Sequence, residues 1–311
     1  MQRQGYSAEV RQRIHSRFAG RPAIGAKGIR KAPVSPEREY ARLLRALTKI
    51  TEQAIAKRLP QIQEEYARES QEGLRQDSYA GLTNIIDRII RSAGEEADRE
   101  MERRGYRKKL EQMSRQMGRM TTRQFHDLVK RTLGVDISEE YYTWGIFDGI
   151  YDLWVKENVD LIKSIPSKEF ERIRKIVLDG YMDGQRSLEM SEDIKEQFGV
   201  TQRRARFIAR DQMAKLNSDI SQMQMKDAGI MKYKWRCALD ERVRESHRAL
   251  EGTAHSWDDP PETDDGRRCH PGEDYGCRCI AEPIFEEETL NLPLQEKEEG
   301  FPVITLPTTG L

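Results

Sequence analysis

Soft-ligand and nucleophile chemistry is confined to one stretch of this sequence. All four cysteines, Cys237, Cys269, Cys277 and Cys279, fall there, with His247, His255 and His270 of the five histidines. The densest part reads GRRCHPGEDYGCRC. Thiolate and imidazole are the ligands zinc prefers, and a closed structural site needs four of them. Cys237, His247, Cys269, His270, Cys277 and Cys279 are the candidates. A Cys-x-Cys pair can share one ion but is less usual than Cys-x-x-Cys, and the separations match no standard finger. Two other chemistries use the same residues. The thiols can be small apolar groups closing a hydrogen-bonded mini-domain. Alternatively, Asp240, His247 and His270 can surround a divalent ion in a nuclease, or a Cys–His pair can act in a hydrolase. No Gly-rich phosphate loop, His-Glu-x-x-His or Gly-x-Ser-x-Gly motif accompanies them. The expectation is therefore a protein that is not an enzyme, with no catalytic residues and no small-molecule substrate.

The elements that must hold this cluster are short. IMKYKWRCA reads as a β-like run, DERVRESHRALEG as a helical turn or two, and CRCIAEPIF as a second short strand after a Pro/Gly/Asp-rich loop. Such a small module usually needs a metal or a neighbouring body to hold it. Upstream the texture is helical. Ser35, Pro36 and Glu37 make a helix start, followed by Tyr40, Leu43, Leu44, Leu47, Ile50 and Ile55 at helical spacing. Pro60, Gly134 and Pro166 are expected helix ends, and Thr201 after Gly199 an expected cap for a last helix closing at Gly229. Trp144, Phe147, Tyr151, Trp154 and Val155 concentrate the aromatic mass of one packed block. The charged stretch around 95–120 is either one long exposed helix or a hinge.

A composition of 34% charged and 37% hydrophobic residues suits helices with broad solvated faces. The fold expected is mainly α, an elongated multi-helix body with a small C-terminal α+β module. The boundaries are a basic flexible arm (1–34), an N-terminal helical region (35–120), a helical body (121–230), the α+β module (231–285) and an acidic, extended tail (286–311). No apolar run reaches the roughly 20 residues of a membrane span, which excludes a spanning helix. The N-terminal residues lack the apolar core of a secretory signal, so synthesis in a cytoplasm is expected. The zero net charge conceals two unlike ends. Arg11, Arg13, Arg17, Arg21, Lys27, Arg30 and Lys31 face a single acid, Glu9, in the arm, whereas EEE and EKEE mark the tail. The arm is a candidate for sequence-independent contact with double-stranded DNA.

Several of these motifs together are distinctive. FIARDQMAKLNSDISQMQMKDAGIMKYKW, ALDERVRESHRALEG, SWDDPP and CHPGEDYGCRC, in this order, resemble the Mu F-like phage head morphogenesis (minor head) proteins. SPEREYARLLRAL and KENVDLIKSIP look like the N-terminal helical part of the same proteins. The resemblance implies a virion component at the head interior or portal vertex, assembled in the host cytoplasm. Its implied partners are the portal protein and the major capsid or scaffold protein, with DNA contacted in packaging or ejection. It also implies structural zinc: in many relatives the segment matching Arg244 to His247 carries Cys-x-x-Cys. Here His247 takes the second cysteine's place, Arg244 the first, and five residues separate Pro271 from Cys277. The metal set expected on this basis is His247, His270, Cys277 and Cys279, with Cys237 or Cys269 as alternates. A metal-dependent nuclease or processing factor is the alternative function.

Overall fold

A computed structural model describes residues 6–28, 33–71, 76–143, 145–238 and 243–294. Arg30, Lys31, Trp144 and Asp240 lie outside the described residues, as does the sequence after Leu294. The body is helical: α1 (Ala8–Phe18), α2 (Val34–Ala56), α3 (Leu59–Gln71), α4 (Gln76–Arg103), α5 (Tyr106–Leu133), α6 (Glu139–Thr143), α7 (Asp148–Met182) and α8 (Ser187–Asp227). A strand, β1 (Ala23–Gly25), lies between α1 and α2. After α8 come β2 (Lys232–Arg236), α9 (Glu245–Ala249), β3 (Ala254–Ser256) and β4 (Ile280–Glu286). The chain is thus mainly α with a small C-terminal α+β module.

The apolar stripe on α2 is buried as its spacing requires: Tyr40, Leu43, Leu44, Leu47, Ile50 and Ile55 all enter the core. The helix begins at Val34, with Pro33 rather than Ser35 at the N-cap position. Pro60 separates α2 from α3 and sits at the second residue of the new helix, where a missing N–H costs nothing. The charged stretch around 95–120 resolves into two helices that meet at Gly105, whose φ of +60° only glycine adopts freely. It is not solvated all round. Ala93, Ala97, Met101, Tyr106, Leu110, Met113 and Met117 continue a narrow buried seam through it.

Two expected helix ends are corrected. Pro166 lies inside α7 and is buried there, because Ile162, Phe170, Ile173 and Val177 pack on both sides of it. Burial of that continuous face outweighs the one backbone hydrogen bond proline removes. Gly199 and Thr201 likewise lie inside α8. The Thr201 hydroxyl turns back to the Gln197 carbonyl (3.3 Å) and donates to the buried Glu169 carboxylate instead of capping a helix. Gly134 does end α5, with φ +74°, and Gly229 follows the end of α8 with φ +73°. Phe147, Tyr151, Trp154 and Val155 are buried, with Trp154 edge-on to Tyr40 at 5.6 Å.

The sheet is antiparallel throughout, in the order β1-β4-β2-β3. Its N-terminal edge corrects the reading of a flexible arm: residues 8–25 fold as α1 and β1. β1 pairs with β4 (Ala23 with Glu286, Gly25 with Ile284), and Ile14 and Phe18 of α1 are buried. Part of the expected tail is ordered too. The Leu292 amide donates to the Tyr6 hydroxyl, and the Ser138 amide donates to the Pro293 carbonyl at 2.7 Å.

Candidate metal centre

Three elements converge on the cluster. β2 delivers Trp235 to the interior, α9 delivers His247, and the loop before β4 delivers Cys277 and Cys279. The Trp235 ring meets the His247 imidazole edge-on at 5.3 Å and fixes its plane. The loop from Cys269 to Cys279 is held against α8. Buried Asp211 accepts from the Gly276 amide (2.6 Å), and the Ser218 hydroxyl donates to the Pro271 carbonyl (2.7 Å). Gly272, at φ +94°, lets the backbone approach α8 closely; a Cβ there would sit 3.0 Å from the Ser218 side chain. The five residues between Pro271 and Cys277 therefore form a ledge on α8.

His247 Nδ1 lies 3.5 Å from Cys277 Sγ and 3.7 Å from Cys279 Sγ, and the three donor atoms all fall within 4.8 Å of one another. The Gly272 and Cys279 amides each point at Cys277 Sγ from 3.4 Å. On the other side of the ring, His247 Nε2 is 3.2 Å from Asp274 Oδ2. Asp274 is buried and also accepts from the Tyr275 amide (2.8 Å), Arg267 (2.8 Å) and Arg244 (3.1 Å). Burial pushes its carboxyl upward, but these donors outweigh burial and hold it below the usual carboxylate range. Cys277 is brought down to about 5 by the Cys279 thiol, His247 and the two amides, against the opposing effect of burial. Cys279 is pushed strongly up, first by Cys277 and then by burial, and His247 is raised chiefly by Cys277. These shifts favour the thiolate form at Cys277 and the neutral thiol at Cys279.

The remaining candidates are placed differently. His270 is buried, but its Nδ1 is 2.8 Å from the Tyr233 hydroxyl and its ring packs edge-on to Trp257 at 4.9 Å. It is not among the residues gathered with His247. Cys269 pairs with the Thr263 hydroxyl at 3.2 Å. Cys237 follows β2, and its Sγ donates to the His247 carbonyl at 3.0 Å. Residue types alone did not single out Asp274, one acid among many in an acid-rich loop; its fixed contact with His247 exists only in the fold. Asp264 and Asp274 also approach His247 as a group, yet Arg244 Nε already lies 3.1 Å from Asp264.

Much of the basic candidate set is used within the chain. Arg11 donates to the Tyr6 carbonyl (2.8 Å), Arg13 pairs with Glu9 (2.9 Å) and Arg21 donates to the Phe18 carbonyl (3.3 Å). The Arg17 guanidinium lies against Gly134 at the negative end of α5, whereas at Lys27 it is the backbone amide, not the ammonium, that donates to the Thr132 hydroxyl at 2.9 Å.

The donor set fits zinc. In a tetrahedron with Zn–S near 2.3 Å and Zn–N near 2.05 Å, sulfur and nitrogen stand about 3.6 Å apart. The two separations, 3.5 and 3.7 Å, bracket that value. The Asp274–His247 contact is the outer-shell carboxylate that usually orients a zinc-bound imidazole.

Comparison with known proteins agrees with the motifs. The family described as Phage Mu protein F like protein matches residues 171–282, from within α7 to β4. An uncharacterized protein of Haemophilus influenzae is 37% identical over 145 residues, covering 46% of this chain. The chain spans about a third (32%) of the length of that relative. No solved structure matches. Over residues 171–282, the segment that builds and holds the Cys/His centre is similar to the family described as Phage Mu protein F like protein.

Proposed function

We propose that this chain is a minor head protein that acts in phage head morphogenesis by contact with other head proteins. The observation that carries this reading is that the family match runs without a break from the last third of α7 through all of α8 and the module as far as Glu282 in β4. The partners proposed are the portal protein and the major capsid or scaffold protein, and the place is the virion, in the head interior or at the portal vertex. A non-enzymatic role is supported by the burial of the thiol whose pKa is lowered: Cys277 is 5% exposed. Co-expression with the portal, capsid and scaffold proteins of the same phage tests the proposal. Recovery of the chain in assembled heads, with heads malformed or empty when its gene is deleted, is the expected result. Normal, filled heads that lack the chain would end it.

Contact with packaged duplex DNA is a second part of the reading, favoured by a specific surface. Arg203, Arg204 and Arg206 are exposed on one stretch of α8. Next to them Phe207 packs on exposed Tyr275 at 4.7 Å, with Arg210 over Phe207 and Lys215 over Tyr275. This face adds to the arm as a site for phosphate. Replacing the three arginines by alanine is expected to lower the salt slope of duplex binding by up to about 3. An unchanged slope would remove this face from the account.

A further inference from the structure

We infer that the chain carries a closed tetrahedral zinc site whose fourth ligand is Cys237, joining His247 Nδ1, Cys277 Sγ and Cys279 Sγ, with Asp274 as the outer carboxylate. Three ligands are already gathered at separations suited to a tetrahedron. The choice of the fourth rests on strand register. The β2–β4 ladder pairs Arg236 with Ile280, so the next step along both chains sets Cys237 opposite Cys279. Directly opposed residues on antiparallel strands hold their Cβ atoms about 4.5–5.5 Å apart, within reach of one shared ion. The Cys237 Sγ is not among the donor atoms gathered within 4.8 Å of one another, so it joins them only by turning. Cys237 Sγ also lies on the backbone of His247 itself, so a turn about its own side-chain bond redirects it from that carbonyl to the cluster.

The competitors are committed elsewhere. His270 is locked by the Tyr233 hydroxyl and the Trp257 ring, and Cys269 faces Thr263. Such a site ties α9 and the loop before β4 to the end of the β2–β4 ladder, just past its last pair, Arg236 with Ile280. It occupies the same place in the module whatever the larger protein contacts, so it stands or falls apart from the head-assembly reading.

The test uses the full chain purified reduced and without oxygen. Metal content is measured by mass spectrometry, and the zinc is then exchanged for cobalt, whose absorption reports geometry and the number of bound thiolates. One zinc per chain and a tetrahedral cobalt spectrum of three-thiolate intensity are expected. Cys237→Ser should drop the charge-transfer band to two-thiolate intensity and weaken zinc by more than the about 10–100-fold expected for Asp274→Asn. Cys237→His should restore affinity at two-thiolate intensity, and Cys269→Ser should change neither readout. Three outcomes overturn the site: no stoichiometric metal on the reduced chain, a wild-type cobalt spectrum of two-thiolate intensity, or a Cys237–Cys279 disulfide recovered from alkylated peptides. The wild-type spectrum decides the ligand count even where a variant fails to fold.

Discussion

At the scale of the residue, the acids of this chain divide by what surrounds them. Asp274 is buried among cations and amides and is held ionised. Asp219 of α8 is in the reverse position. Burial, with Glu273 and Glu157 nearby, pushes it up to about 6 despite Lys215. A carboxyl whose folded value is raised supports folding most fully below its unfolded value of about 3.9. That support is lost as pH rises through about 6, because the charged form is then forced into a site that disfavours it. Asp219→Asn should therefore stabilise the chain at pH 7, by about 1–3 kcal/mol, and change little at pH 4. Chemical denaturation followed at both pH values checks this; equal effects at the two would contradict it. Neither role was legible in the residue types. Both depend on which neighbours the helices bring within a few ångströms.

At the scale of the element, periodicity was a good guide to faces and a poor guide to ends. The apolar spacing on α2 specified the buried stripe residue by residue. The expected breaks at Pro166 and Thr201 failed because long-range packing decides whether a helix continues past a weak point. α7 buries Ile162 and Phe170 on either side of its proline, and α8 buries Phe198 and Ala205 on either side of Thr201. Gly229 is a true stop with a second duty. A Cβ at this residue would lie 1.8 Å from the Thr289 carbonyl oxygen, and its φ is +73°. Backbone cannot yield there as a flexible side chain would. Gly229→Ala should cost more than about 2 kcal/mol, from the strained φ and displacement of the 289–292 segment, whose Asn291 amide donates to the Ala228 carbonyl at 2.9 Å. Thermal unfolding measures the loss, and hydrogen exchange should place it at the end of α8 and the strand that follows it.

At the scale of the whole molecule, the two ends of the described chain meet. β1 closes one edge of the module's sheet, His15 Nδ1 is 2.9 Å from Glu287, and the Tyr6 hydroxyl binds the Leu292 amide. Deleting residues 1–28 should therefore do more than remove positive charge. It uncovers β4 along one edge and should lower the melting temperature of the C-terminal module, detected by the environment of Trp235 and Trp257. A module that melts unchanged would show that β1 is dispensable to the sheet. In DNA binding the same deletion removes cations and disturbs the sheet together. The α8 arginines give the cleaner comparison because they are exposed on a helix whose core face is elsewhere.

The sequence by itself determined the helical class, the buried stripes, the place of the Cys/His module and the likeness of residues 171–282 to the Mu F-like family, because these depend on spacing and motif order within short stretches. It also confined the metal candidates to six residues. Only the tertiary structure decided that His247, Cys277 and Cys279 meet, that His270 turns to Tyr233, and that Asp274 holds the imidazole. It alone turned a basic arm into a helix and an edge strand. The reason is physical: ligand selection and strand pairing depend on contacts between residues far apart in the chain. No local pattern records which of several chemically equal partners the fold will bring within bonding distance.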